Sequence, residues 1–273
     1  MEVVKTRYVG FCFGVRRAVE LCLKEKASAK GTLYTLGPLI HNEQVVERLK
    51  ALGIIVEEAA ERIEEGTVVL RTHGIRKEEE LVLRKKGLRI LDATCPLVKR
   101  VREHAISLRQ EGYKVVIVGR EDHPEVKSVL SYLDNDAIVL SQYERIRGRR
   151  IGLVAQTTEE LGKFANIAKR LIEEGYEVRV FNTVCMVTRL RQREAREISK
   201  QVDLVLVLGG KASSNTDKLY NVAKNENPCS YKIETKADIE PEWFKGKRKV
   251  GLIAGTSTPG EVVEEVARVV KSL

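Results

Sequence analysis

The stretch Leu88-Arg89-Ile90-Leu91-Asp92-Ala93-Thr94-Cys95-Pro96-Leu97-Val98 passes from a short apolar run, through a polar turn holding a cysteine, into a helical pattern that continues to residue 110. An apolar run of four to six residues feeding a helix reads as a strand buried on both faces and its crossover, the building block of a parallel sheet. The same succession recurs along the chain. Strand patterns at 31–36, 67–71, 88–91, 114–118, 150–155, 177–181, 203–208 and 249–254 alternate with helix patterns at 15–26, 43–52, 97–110, 159–174, 188–200 and 260–271. The alternation defines an α/β fold with parallel sheets.

Working outward from Cys95, two other cysteines stand in matching turns ahead of a helix: Gly10-Phe11-Cys12-Phe13-Gly14 and Asn182-Thr183-Val184-Cys185-Met186. The three lie 83 and 90 residues apart, close to a third of the 273-residue chain. Each is followed 28 or 29 residues later by a polar loop: Ile40-His41-Asn42, Asp122-His123-Pro124-Glu125 and Ala212-Ser213-Ser214-Asn215. A second loop follows in each unit, at Thr72-His73-Gly74, Gln156-Thr157-Thr158 and Thr256-Ser257-Thr258, with offsets of 61, 62 and 72 to His73, Thr157 and Ser257. This is a threefold internal repeat. It predicts three pseudo-equivalent α/β units at 13–94, 95–184 and 185–273, each giving one cysteine and two polar loops to a shared centre. Because ligands of open α/β sheets sit off the carboxyl ends of the strands, all nine loops are placed to face one cavity. Helix capping is the competing use for some of these residues: Thr157-x-x-Glu160 and Thr258-Pro259-x-Glu261 both read as capping boxes, and Pro96 and Pro124 can open helices.

Composition narrows the partners. Forty-eight Lys and Arg against 39 Asp and Glu leave a net charge of +9, which favours anionic ligands. The charge is spread along the chain with no basic stripe or aromatic platform, so nucleic acid is not expected. Five cysteines are too few for a disulfide scaffold, the N-terminus lacks a signal-peptide layout, and no apolar run reaches membrane-spanning length. A cytoplasmic globular protein, without nucleic-acid or membrane partners and monomeric, is the expectation.

Three thiolates brought together from distant loops suit a soft metal. Zinc and an iron–sulfur cluster both remain open on these residues, since neither the C-x2-C zinc spacing nor a ferredoxin run is present. A cubane on three thiolates would leave one iron to act as a Lewis acid while the cluster delivers single electrons. Cys22, on an amphipathic helix, reads as a packing thiol, Cys229 as incidental, and His104 as a solvated helix residue. Around the proposed centre stand neutral donors and histidines, namely His41, Asn42, His73, His123, Thr157, Ser213, Ser214, Asn215 and Ser257, a composition suited to a phosphate or diphosphate. Glu125 is the one carboxylate inside a loop motif and the candidate general acid. Gly209-Gly210-Lys211-Ala212-Ser213 lacks the frame of a phosphate-binding P-loop. The basic run Arg189-Leu190-Arg191-Gln192-Arg193 reads as a solvated face that could also meet an acidic redox partner.

Taken together, Gly10-Phe11-Cys12-Phe13-Gly14-Val15, Gly37-Pro38-Leu39-Ile40-His41-Asn42, Thr72-His73-Gly74, Asp92-Ala93-Thr94-Cys95-Pro96, His123-Pro124-Glu125, Ala155-Gln156-Thr157-Thr158, Ser213-Ser214-Asn215-Thr216 and Gly255-Thr256-Ser257-Thr258-Pro259 resemble the 4-hydroxy-3-methylbut-2-enyl diphosphate reductases, the last enzymes of the non-mevalonate isoprenoid pathway. The resemblance runs from residue 1 to about residue 260 in the family's order. It implies three domains in a trefoil around a central 4Fe-4S cluster and cavity, with the N-terminal strand (1–12) joining the third domain. It further implies Cys12, Cys95 and Cys185 as cluster ligands. His41, His73, His123, Ser213, Ser214, Asn215 and Ser257 would hold the diphosphate. Glu125 would be the proton donor, and Thr157 would orient the substrate hydroxyl or a water. The implied reaction removes the allylic hydroxyl as water with two electrons and two protons, giving isopentenyl and dimethylallyl diphosphate, with a ferredoxin or flavodoxin as electron donor. Without that resemblance, a zinc-stabilised α/β protein that binds phosphorylated ligands is the alternative. Met186-Val187 after the third cysteine and Gly260 after the Ser-x-Pro turn depart from the family's habit beside matched positions.

Overall fold

The fold is that of a computed structural model describing residues 1–28 and 31–273. Its strands are β1 Glu2–Lys5, β2 Leu33–Leu36, β3 Ile55–Glu57, β4 Thr67–Leu70, β5 Arg89–Asp92, β6 Lys114–Val118, β7 Ile138–Leu140, β8 Arg150–Ala155, β9 Glu177–Val180, β10 Leu204–Leu208, β11 Ser230–Ile233 and β12 Lys249–Ala254. The helices are α1 Phe13–Ser28, α2 Glu43–Ala51, α3 Lys77–Lys85, α4 Pro96–Gln110, α5 Pro124–Ser131, α6 Leu161–Glu173, α7 Met186–Ser199, α8 Ser214–Glu226 and α9 Gly260–Ser272.

The strands form three parallel four-stranded sheets, ordered β3-β2-β4-β5, β7-β6-β8-β9 and β11-β10-β12-β1. All three share one topology, 2-1-3-4 in order of use, with β1 in the third sheet taking the place that β5 and β9 hold in the others. Its pairing with β12 runs from Glu2 opposite Lys249 to Lys5 opposite Leu252. The chain divides into two compact units. One comprises Met1–Arg16, His41–Val45 and Met186–Leu273 and contains the β1 sheet; the other comprises Arg17–Ile40 and Val46–Cys185 and contains the remaining two.

Central strands such as Leu204-Val205-Leu206-Val207-Leu208 are buried on both faces, as their unbroken apolar runs require. One face of β10 and β12 presents Leu204, Leu206, Leu208, Val250 and Leu252 to Val263, Val266 and Val270 of α9. The opposite face packs Val205, Val207 and Ile253 against Ala195 of α7 and Leu219, Val222 and Ala223 of α8. Burying each Val, Leu or Ile among these contributes roughly 1.5–3 kcal/mol. The edge strands β3, β7 and β11, absent from the sequence reading, are three or four residues long and partly exposed, so apolar runs such as Ile138-Val139-Leu140 are too short to stand out.

The topology explains the repeat. In each sheet the first and third strands leave in opposite directions around the sheet, and the crevice beside their carboxyl ends is the ligand position of such folds. Loops bearing His41, His123 and Ser213 follow the first strands (β2, β6, β10). Loops bearing His73, Thr157 and Ser257 follow the third (β4, β8, β12), and the cysteine loops follow the fourth (β5, β9, β1). The longer offset of Ser257 comes in part from the segment between β11 and β12, which contains the 3-10 turns Lys236–Asp238 and Pro241–Phe244, and in part from α8, 13 residues long against nine in α2 and eight in α5.

Candidate active site

In the larger unit, Cys95 caps α4, with Pro96 in the first helical position. Its loop is held in two ways. The Arg17 guanidinium donates to Thr94 O at 3.2 Å and Asp92 O at 3.1 Å, and Asp92 Oδ1 accepts from Thr94 N at 2.9 Å. The Cys95 amide then donates to Thr72 O at 3.0 Å, tying the cysteine to the loop that carries His73. Gly74, at φ +78°, leaves no space for a side chain: a Cβ there would lie 2.8 Å from Ser128 Oγ.

His73 meets His123 edge to face, ring centroids 5.6 Å apart. His123 caps α5, and its Nδ1 accepts the Glu125 amide at 3.1 Å, so in the neutral ring the proton belongs on Nε2. Glu125 is buried, 2% exposed, and its carboxylate accepts from the Thr157 amide and hydroxyl, both at 2.7 Å. Burial pushes the Glu125 carboxyl up to about 7, against the opposing pull of the two Thr157 donors. The Cys185 amide donates to Thr157 O at 2.9 Å. Cys95, His73, His123, Glu125, Thr157 and Cys185 thus form one connected set of contacts in this unit.

Thr157 does not serve as a helix cap, contrary to the capping-box expectation. Helix α6 begins at Leu161 with Glu160 as its cap, and the Thr157 hydroxyl is used by Glu125, 32 residues away in sequence. Thr258 likewise bonds Leu208 O at 2.9 Å, while α9 starts behind Pro259 with no side-chain cap.

In the smaller unit the Cys12 amide donates to Thr256 O at 3.0 Å, and Ser257 Oγ donates to His41 O at 3.1 Å. Gly210 packs so close to this loop that a Cβ would come within 2.5 Å of His41 O. Ser213 caps α8 by accepting from Thr216 N at 3.3 Å. Asn42 Oδ1 accepts from Val45 N at 3.1 Å. Ser214 and Asn215 are buried in the first turn of α8. Neither Asn215 side-chain atom, nor Thr216 Oγ1, makes a hydrogen bond among the described residues. A buried amide left without partners is costly; at a helix start, where backbone N–H groups point outward, it suits an anion.

Sequence reasoning missed Arg191. Far from lying on a solvated face, it is 2% exposed and donates to Ala254 O at 2.7 Å, Gly255 O at 2.8 Å and Gly10 O at 2.7 Å. The available signal was helical spacing: Thr188, Arg191, Gln192, Ala195 and Ser199 form one buried stripe of α7. His104 is not simply solvated either; it is half-buried and stacked on Phe181, ring centroids 4.0 Å apart. Cys22 is fully buried, and burial pushes its thiol up to about 11, as befits a packing residue. Cys229 stands 3.5 Å from Lys247 Nζ.

Among the described residues no three His, Cys, Asp or Glu side chains stand together as a metal-holding group. On donor chemistry, however, Cys12, Cys95 and Cys185 fit a thiolate-held centre. None is in a disulfide, all are half-buried, and each immediately precedes a helix.

Three repeated parallel α/β units, with cysteine and polar loops at the same strand ends, define a class of three-repeat α/β proteins. The profile described as LytB protein matches residues 3–271, and the chain belongs to this family. It is 44% identical over 273 residues to the 4-hydroxy-3-methylbut-2-enyl diphosphate reductase of Aquifex aeolicus, covering 97% of this chain and 94% of that one. With the protein of the same name from Pelobacter propionicus it shares 42% identity, covering 97% and 96%. A solved structure of (E)-4-hydroxy-3-methyl-but-2-enyl diphosphate reductase, the terminal enzyme of the non-mevalonate pathway, is 43% identical with a TM-score of 0.72, covering 100% of this chain and 99% of that one. The structure of E-1-hydroxy-2-methyl-but-2-enyl-4-diphosphate reductase from Plasmodium falciparum has a TM-score of 0.92 at 25% identity, covering 98% and 87%.

Proposed function

We propose that this chain removes the allylic hydroxyl of (E)-4-hydroxy-3-methylbut-2-enyl diphosphate as water, consuming two electrons and two protons and releasing isopentenyl and dimethylallyl diphosphate. It does so with a 4Fe-4S cluster held by Cys12, Cys95 and Cys185. The names of its relatives support this reading over a zinc-held protein without redox activity. The observation that carries it is the contact chain Cys185–Thr157–Glu125: a buried acid, poised near neutrality, is two hydrogen bonds from a candidate cluster ligand. When bound, the cluster supplies electrons one at a time and an iron that can act as a Lewis acid.

The remaining work falls to side chains. Asn215, with its unsatisfied amide, together with Ser213, Ser214, Ser257, His41, His73 and His123, holds the diphosphate. The +9 charge of the chain favours the approach of such a ligand. Glu125 delivers a proton from its carboxyl oxygen. Thr157 fixes that carboxyl through two donors and orients the hydroxyl that leaves. Electrons arrive from a carrier protein such as a ferredoxin or flavodoxin, and the enzyme works in the cytoplasm as a monomer.

The test is turnover. Protein purified and reconstituted without oxygen, given a reduced viologen and the hydroxylated diphosphate, is expected to yield both isomeric products. A reconstituted protein that binds the substrate and returns it unchanged would overturn the assignment.

A further inference from the structure

We propose that Arg191 is a positioning residue that fixes the Cys12 loop and the Ser257 loop to one another, and thereby sets both the first cluster ligand and the diphosphate cradle. The inference rests on the function proposed above for those two loops. Strands β1 and β12 are paired neighbours, but their chains part after Lys5 and Ala254. Backbone carbonyls that leave a ladder inside a protein need new donors. The Arg191 guanidinium supplies them from the inward face of α7, taking Gly10 O on one side and Ala254 O and Gly255 O on the other.

What lies downstream of those three carbonyls gives the contact its meaning. Gly10 is two residues before Cys12, and the Cys12 amide is bonded to Thr256 O, the residue after Gly255. Ser257 comes next and bonds His41 O. A shift of the guanidinium therefore moves a cysteine and the anion loops together. Arg17 uses the same device, holding Asp92 O and Thr94 O ahead of Cys95. A planar fork with five donors can span carbonyls of two departing strands, whereas a lysine ammonium places its donors on a single atom.

The test compares Arg191→Lys with Asn227→Ala in reconstituted protein. Asn227 is a buried residue of the same unit that bonds Ser199 O at 3.3 Å and Val202 O at 2.8 Å, and its other hydrogen bonds go to Ala223, Cys229 and Ser230, outside the Cys12 and Ser257 loops. Inorganic pyrophosphate affinity, the cluster midpoint potential and the thermal midpoint are read on each. Arg191→Lys is expected to bind pyrophosphate about tenfold more weakly, as the loss of a charge-assisted hydrogen bond implies, and to shift the potential. Asn227→Ala, with a comparable loss of thermal stability, keeps wild-type affinity and potential. Equal losses in the two variants, or wild-type values in Arg191→Lys, would overturn the proposal. Gly10→Ala attacks the contact from the acceptor side. The methyl has room, its nearest neighbour being Gly260 N at 3.8 Å, but Gly10 sits at φ +78°, which strains an alanine, and relief of that strain is expected to turn the carbonyl. That variant is expected to show the same two losses, and wild-type behaviour in it contradicts the proposal even if Arg191→Lys does not fold. A wild type that binds neither iron nor pyrophosphate would instead overturn the functional reading, and this proposal with it.

Discussion

Glu125 shows how one residue's surroundings decide its chemistry. A carboxyl buried this deeply resists ionisation, and the two Thr157 donors only partly offset that cost, leaving it near 7. As a proton donor it must be neutral, so kcat/KM is expected to fall as pH rises through about 7, by about tenfold per pH unit above it. A profile flat from pH 6 to pH 9 would contradict the acid role. Because the folded carboxyl lies above its ordinary value of 4.5, its contribution to stability is fully present below that value and is lost as pH rises through about 7. Between those limits the wild type is expected to lose on the order of 3 kcal/mol relative to Glu125→Gln, measured as the change in urea unfolding free energy. Asn215 is the complementary case. Its two unpartnered amide atoms destabilise the ligand-free protein, so Asn215→Leu should keep or raise the thermal midpoint while pyrophosphate affinity falls more than about tenfold. Unchanged affinity would remove Asn215 from the diphosphate site.

At the scale of elements, two glycines on third strands let a helix come close. Gly152 of β8 faces Leu108 of α4, and Gly251 of β12 faces Ile198 of α7, where a Cβ would lie 2.7 Å from Ile198 Cγ2. Gly251→Ala is expected to destabilise the protein by about 1–3 kcal/mol through overpacking, read by urea denaturation. No loss would mean that α7 can move away from the sheet. The central strands were legible because burial on both faces demands continuous Val, Ile and Leu. The edge strands were not, since Ile55–Glu57 and Ile138–Leu140 are short and half-exposed. Local motifs misled where a distant partner competed. Thr157-x-x-Glu160 has the form of a capping box, yet its hydroxyl is taken by Glu125, and the basic run around Arg191 conceals one arginine turned inward. A partner 32 or 181 residues away cannot be named from local spacing, although the buried stripe of α7 does place Arg191 on the inward face.

For the whole molecule, the threefold spacing of Cys12, Cys95 and Cys185 was the most legible feature, because each cysteine follows the fourth strand of a sheet with the same 2-1-3-4 order. That β1 fills the fourth place of the last sheet was implied by family resemblance alone; four residues at the N-terminus carry too little pattern to place it. The cysteine assignments rest on this repeat, and so does the exclusion of Cys22, whose buried thiol is held far from ionisation. The most direct measurement is therefore iron and acid-labile sulfide per chain after anaerobic purification, for wild type, Cys185→Ser and Cys22→Ala. About four of each are expected in wild type and Cys22→Ala, with a marked loss in Cys185→Ser. Zinc without sulfide in the wild type, or an intact cluster in Cys185→Ser, would contradict the account.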